Sequence, residues 1–144
     1  MITVREVKFW LQQYRRIQRE ILDIESRITE LRLKHGAPSA INYSDMPKAH
    51  GAVDLSDYVA KLEEYEQTLI ARHTACLGLS VQYMQAFEHL DRDEAHVIKR
   101  RYMDAASWHT IATEIPCAER TVYYIHGRAL HKLANIPNVC SPLQ

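Results

Sequence analysis

Apolar residues recur along the first quarter of the chain in steps of three and four: Val4, Val7, Leu11, Tyr14, Ile17, Ile21, Ile24, Ile28 and Leu31. This spacing puts one stripe along a helix of period 3.6, and nothing interrupts it before Gly36. Thr3, with Glu6 three residues later, has the arrangement in which a hydroxyl and a carboxylate each satisfy a free backbone donor at a helix start. Some thirty residues of helix make a rod of roughly 45 Å, long for a compact domain.

Residues 35–53 contain two prolines and two glycines and keep no period, so they read as a loop. Beyond it, Leu55, Tyr58, Leu62, Tyr65, Leu69, Arg72, Cys76, Leu79, Tyr83, Ala86 and Leu90 alternate by three and four, the spacing of a coiled-coil seam. Asp54 or Ser56 can cap its start. Gly78 and the seam position Arg72 interrupt the pattern; Arg72 either snorkels outward or is a buried charge that selects a partner. Two long helices joined by a loop are expected to fold back as an antiparallel, coiled-coil-like hairpin. Such a hairpin leaves apolar surface for the C-terminal segment or a second copy to cover, so a homodimer is expected.

The last third changes character. Asp91 precedes a helix whose first turn carries Asp93 and Glu94, with Ala95, Ile98 and Tyr102 on one face. Ser107 can cap a second short helix that directs Ile111, Ala112 and Ile115 inward, and Pro116 stops it. A third helix is expected from about Ala118, with Val122, Ile125, Ala129 and Leu133 as its buried stripe. A short helix, a tight turn and a longer helix with a polar N-terminal face are what a helix-turn-helix needs to enter a major groove. Subtracting the buried stripe leaves Ala118, Glu119, Arg120, Tyr123, Tyr124 and Gly127 on or near the groove side, with Thr121 at its margin. An arginine there can donate twice to a guanine edge, a glutamate can accept from a cytosine amine, and tyrosines suit phosphates or thymine methyls. Lys99, Arg100, Arg101 and Arg128 are the candidate phosphate contacts. Trp108 is read as packing and His126 as a half-buried structural histidine.

Composition supports helices: 47% hydrophobic, 25% charged, four glycines and five prolines in 144 residues. Formal net charge is zero, spread unevenly: residues 1–34 carry eight Lys/Arg against five Asp/Glu, 35–90 three against seven, 91–144 seven against six. A strong basic excess, the usual electrostatic mark of nucleic-acid binding, is missing. No apolar run is long enough for a bilayer span and Met1 to Arg16 lacks a signal-peptide core, so a cytoplasmic location without membrane contact is expected. Cys76, Cys117 and Cys140 show no metal-like spacing and read as free thiols. No nucleophile beside a base, carboxylate pair or phosphate-cradling glycine loop stands out, so neither catalysis, a metal nor a cofactor is expected.

Leu90 through Leu133 resembles region 4 of the sigma-70 family. The matching residues are Arg101-Tyr102, Ser107-Trp108, Ile111-Ala112, Thr121-Val122 and Arg128-Ala-Leu-His-Lys-Leu133. With the two long helices and the Met46-Pro47 and Gly51 loop before it, the whole chain is similar to phage late-transcription regulators of the ArpU/RinA type. One departure is Cys117-Ala118, where the pattern commonly has a small polar cap. The resemblance implies activation of phage late genes in a bacterial host cell, through double-stranded promoter DNA and host RNA polymerase. The expected fold is therefore all-α. Residues 1–89 are expected to form the hairpin for dimerisation or partner contact, 90–136 the helix-turn-helix domain, and 137–144 a tail. The alternative is a protein-binding adaptor, anti-sigma-like or polymerase-binding, whose coiled coil and region 4-like module contact protein. An open face over 118–128 favours DNA; a face covered by the hairpin favours the adaptor.

Overall fold

The computed structural model describes residues 2–35 and 51–137, the side chains of 51–54 excepted. All regular structure among the described residues is helical. In order come α1 (Val4–His35), α2 (Gly51–Phe87), α3 (Arg92–Ile98), a π-helical turn (Lys99–Met103), α4 (Trp108–Glu114) and α5 (Glu119–Ala134). Both rods overrun the expected loop of 35–53, since His35 closes α1 and Gly51 opens α2. The last turn of α1 carries Arg32, Lys34 and His35, cations placed where the helix dipole favours them. Residues 36–50 of that loop, and 138–144 of the expected tail with Cys140, lie outside the described residues. No helix among the described residues is long and apolar enough to cross a membrane.

Contacts divide the chain into two compact units, Met1–Gln18 with Ala75–Gln144, and Arg19–Thr74, whereas the division drawn from sequence falls at 89/90. In the unit 19–74, Ile21, Ile24 and Ile28 of α1 are buried, while Tyr58, Leu62, Tyr65 and Leu69 of α2 are half-buried. Cross-helix contacts run in reverse order. Glu20 pairs with Arg72 at 3.0 Å and Arg32 with Glu66 at 3.8 Å, and the His35 ring lies 5.5 Å from that of Tyr58. Arg72 is thus an exposed, ion-paired side chain, the outward alternative for that seam position.

The other unit starts with the expected cap: the Thr3 N–H donates to Glu6 Oε2 at 2.7 Å and the Glu6 N–H to Thr3 Oγ1 at 3.2 Å. Its main core gathers Val7, Trp10 and Leu11 of α1, Tyr83 and Ala86 of α2, Ile98 and Tyr102, and Ala129, Leu130, Leu133 and Ala134 of α5. Tyr83 is fully buried, and its hydroxyl donates to the Trp10 carbonyl at 2.6 Å, so a tyrosine can sit in this core without an orphaned polar atom. Trp10, outside the stripe expected from spacing, packs edge-on to Tyr83 with centroids 4.7 Å apart and donates Nε1–H to Gln82 at 3.3 Å. A second cluster unites Val97, Ile111, Ala112, Val122 and Ile125. The buried side of α5 is therefore shared: its N-terminal half packs on α3 and α4, its C-terminal half on the ends of α1 and α2.

Candidate nucleic-acid interface

The local rules that start α4 and α5 differ. Ser107 Oγ accepts from the Thr110 N–H at 3.1 Å, capping α4, whereas α5 begins at Glu119 behind Ala118, which has no side-chain cap. The departure at Cys117-Ala118 thus leaves the helix start to the backbone, with the Thr121 N–H donating to the Ala118 carbonyl at 2.9 Å. A link from His109 Nδ1 to Glu119 Oε1 at 3.2 Å joins α4 to the first turn of α5.

A buried carboxylate holds α5 in place. Glu94 of α3 has no exposed surface, and an unpaired charge there would cost several kcal/mol. It accepts from Arg128 Nε at 2.6 Å, Lys132 Nζ at 2.9 Å and the Asp91 N–H at 3.0 Å. Burial pushes its pKa up, but the hydrogen bonds from Lys132, the Asp91 N–H and Arg128 outweigh that and hold the carboxyl below its ordinary value. Sequence reading placed Glu94 only as an acidic first-turn residue. The spacing Asp91-x-x-Glu94 of a capping box was a legible signal, but its two cations come from a distant helix.

The basic run Lys99-Arg100-Arg101 does not present one surface. Consecutive side chains on a helix point about 100° apart, so the three diverge; the π-helical turn that carries them is closed by the Asp104 N–H to the Lys99 carbonyl at 3.2 Å. Lys99 is exposed. Arg100 is drawn to Glu114 (Nη2 to Oε1, 2.7 Å) and Asp104 (3.3 Å), partners that raise its own pKa and, for Glu114, lower the carboxyl's together with His96 at 2.7 Å. Arg101 lies over the Trp108 ring, 4.4 Å from the centroid, and donates to the Ala106 carbonyl at 3.2 Å. Trp108 in turn meets the rings of Tyr123 at 4.8 Å and His126 at 4.9 Å, the packing role expected of it. Burial, then Lys8 and Arg101, pushes His126 down to about 4, so at neutral pH its uncharged Nε2 can accept a hydrogen bond from the Tyr102 hydroxyl across 2.8 Å.

The outward side of α5 carries Glu119, Arg120, Thr121, Tyr123, Tyr124 and Arg128, all exposed. Tyr124 is 69% exposed and Tyr123 49%, large values for aromatic side chains. Arg128 is committed to Glu94 while its guanidinium lies 5.9 Å from the Tyr124 ring centroid. Gly127 lies among them, and a methyl group added there would meet nothing within 4 Å. Of the cations from Arg92 to Lys132, Arg92, Lys99, Arg101 and Arg120 form no ion pair with a described residue, and of these Arg101 is held by the Trp108 ring and the Ala106 carbonyl. The structure therefore groups the expected base contacts on one open helix face and disperses the expected phosphate contacts. Among the described residues no group of three or more His, Cys, Asp or Glu is placed to hold a metal ion. No protein-family model, curated protein or solved structure matches this chain.

Proposed function

We propose that this protein is a sequence-specific DNA-binding transcription regulator in which α4 and α5 act as a helix-turn-helix and α1 with α2 as an antiparallel helical hairpin. The observation that carries the reading is the exposed outer side of α5, where Arg120 has no ion pair with a described residue and two tyrosines stand open to solvent. Its opposite side is core, so the helix can be presented to a groove without losing its support. Arg120 is the direct reader, Glu119, Thr121, Tyr123 and Tyr124 shape its surroundings, and Lys99 with Arg92 meets phosphates. The resemblance to region 4 and to ArpU/RinA-type regulators makes the site a phage late promoter in a bacterial cytoplasm, with host RNA polymerase as the second partner.

So few unpaired cations imply shallow salt dependence, a slope of log K against log salt of about −2 to −3 per chain. The test is the anisotropy of labelled promoter fragments from the source genome against random duplex, at several salt concentrations. Arg120→Ala should erase the preference for the specific fragment while leaving random binding in place. Lys99→Ala should weaken both alike and reduce the slope by about one. Arg100→Ala should leave the slope nearly unchanged, because Glu114 and Asp104 already neutralise that side chain. Absence of binding at low salt would shift the function to the protein-binding adaptor and make polymerase the next ligand to try.

A further inference from the structure

The two flanks of the open α5 face differ in charge. On one, Arg128 and Lys132 are neutralised by Asp91 and the buried Glu94. On the other, Trp108 packs against the rings of Tyr123 and His126, and Arg101 lies over the indole. Arg120, Tyr124 and Gly127 fall between these flanks around the helix axis. The Ala106 carbonyl takes one donor of Arg101 and leaves others, and no carboxylate of a described residue cancels its charge.

A second cation reaches the Tyr123 flank from a distant part of the sequence. Val7 and Leu11 of α1 share a core with Tyr102 and with Ala129, Leu130 and Leu133 of α5. Lys8 follows Val7. After burial, the charges of Lys8 and then Arg101 are what hold His126 below its ordinary pKa, which puts both cations beside that ring. Nor is Lys8 isolated on α1. The inward stripe runs Val4, Val7, Leu11, Tyr14, and one residue on, Arg5, Lys8, Gln12 and Arg15 repeat the same steps as a second, polar stripe. Arg5, Lys8 and Gln12 are exposed and Arg15 is half-buried. From Met1 to Gln18 the sole acidic side chain is Glu6, two residues before Lys8 and so nearly opposite it on the helix, where Thr3 holds it. Arg5, Lys8 and Arg15 form no ion pair with a described residue. A row of cations is commonly no more than a solvated helix face. This row adjoins the flank of α5 whose charge is left uncancelled, beside the residues that face a groove.

We propose that Arg5 and Lys8 of α1, together with Arg101, contact phosphates of the DNA strand that borders the α5 face on its Tyr123 side. The assignment rests on α5 being the groove-facing helix and adds to it a backbone contact from the far end of the chain. Arg5 and Lys8 are about 4.5 Å apart along their helix, and a DNA strand carries a phosphate about every 3.4 Å of its axis, so the two side chains can take neighbouring phosphates. The Arg128 flank, already neutral, has little to offer the other strand.

A slope of about −2 to −3 counts Arg92, Lys99 and Arg120; Arg5, Lys8 and Arg101 take it to about −5. Anisotropy of the labelled promoter fragment and of random duplex with the full chain, over a salt series, reads this, with far-UV circular dichroism as the check on folding. Lys8→Gln should weaken both duplexes alike, roughly 5- to 10-fold near 0.1 M salt, and flatten the slope by about one, while Lys8→Arg should bind as wild type. Arg5→Gln combined with Lys8→Gln should flatten it by about two. Lys61→Gln, in the unit 19–74, should change neither affinity nor slope; a loss there equal to that of Lys8→Gln would reduce the effect to net charge and overturn the proposal. A wild-type slope no steeper than about −3, or unchanged binding by Lys8→Gln, overturns it and leaves the α5 reading standing. Loss of promoter preference alone in Lys8→Gln also overturns it, by making Lys8 a base reader. A wild-type chain that binds neither duplex at low salt removes both.

Discussion

The unit formed by residues 19–74 and the body built around α5 use the same helix-forming residues, yet they bury side chains to different depths. In the first, Ile21, Ile24 and Ile28 are buried, but the facing residues Tyr58, Leu62, Tyr65 and Leu69 keep part of their surface in solvent. Of its cross-helix ion pairs, Arg32, Glu66 and Arg72 are exposed and Glu20 is half-buried. In the second, Val7, Leu11, Tyr83, Ile98, Leu130 and Leu133 are almost wholly removed from water, and a carboxylate is buried with them. The reason is geometric. A helix meeting one neighbour covers one stripe, whereas α5 meets α3, α4 and the ends of both rods. A heptad pattern therefore reports that a stripe is covered, not how completely.

The sharpest way to break this comparison is a matched pair of core truncations. Leu133→Ala should cost about 3 kcal/mol in chemical denaturation, through lost burial and the cavity left behind, while Leu62→Ala should cost only about 1 kcal/mol. Equal losses would mean that the rods are as tightly covered as the body. Next in size, Glu94→Ala should destabilise by about 2 kcal/mol, less than a fully buried pair because Arg128 and Lys132 can turn to solvent. A thermal melt at neutral pH reads it, and an unchanged midpoint would remove Glu94 as the element that fixes α5 on α3.

Acid should then act on the body in two windows. Because the folded state holds His126 near 4 and the unfolded chain near 6.5, the unfolded state takes up the proton first, so stability is complete above pH 6.5 and falls as pH drops toward 4. Glu94, held below 4.5, contributes above that value and loses its contribution as pH falls further. In denaturation midpoints recorded across pH, His126→Gln should flatten the first window and leave the second. A smaller effect, of opposite sign, is expected at Gly127: alanine there should raise stability by about 1 kcal/mol, because the helix gains propensity and the methyl meets open space. If the outer face of α5 enters a groove, the same variant should bind the promoter fragment more weakly. Gain in both stability and affinity would place DNA elsewhere. Smallest of all, Arg32→Ala should change the stability of the first unit by no more than about 0.5 kcal/mol.

Much of this molecule was legible from one dimension. The step of three and four, the Thr3-x-x-Glu6 and Ser107-x-x-Thr110 starts, and the inward set Val122, Ile125, Ala129 and Leu133 depend on contacts within a turn or two. The open residues of α5 follow by subtraction. The fate of the cations did not follow. Arg100 finds Glu114 fourteen residues on, and Arg128 finds Glu94 thirty-four residues back, so their neutralisation depends on how separate helices pack. The π-helical turn is equally hidden, since no local residue pattern announces it.

Sequence by itself determined which segments are helical, where two of them begin, and which side of each is apolar, because backbone hydrogen bonding and side-chain period act over three or four residues. Tertiary structure decided the depth of burial and the partners of each charge. Those properties belong to pairs of helices, and the energy that sets them arises only when distant segments exclude water from one another.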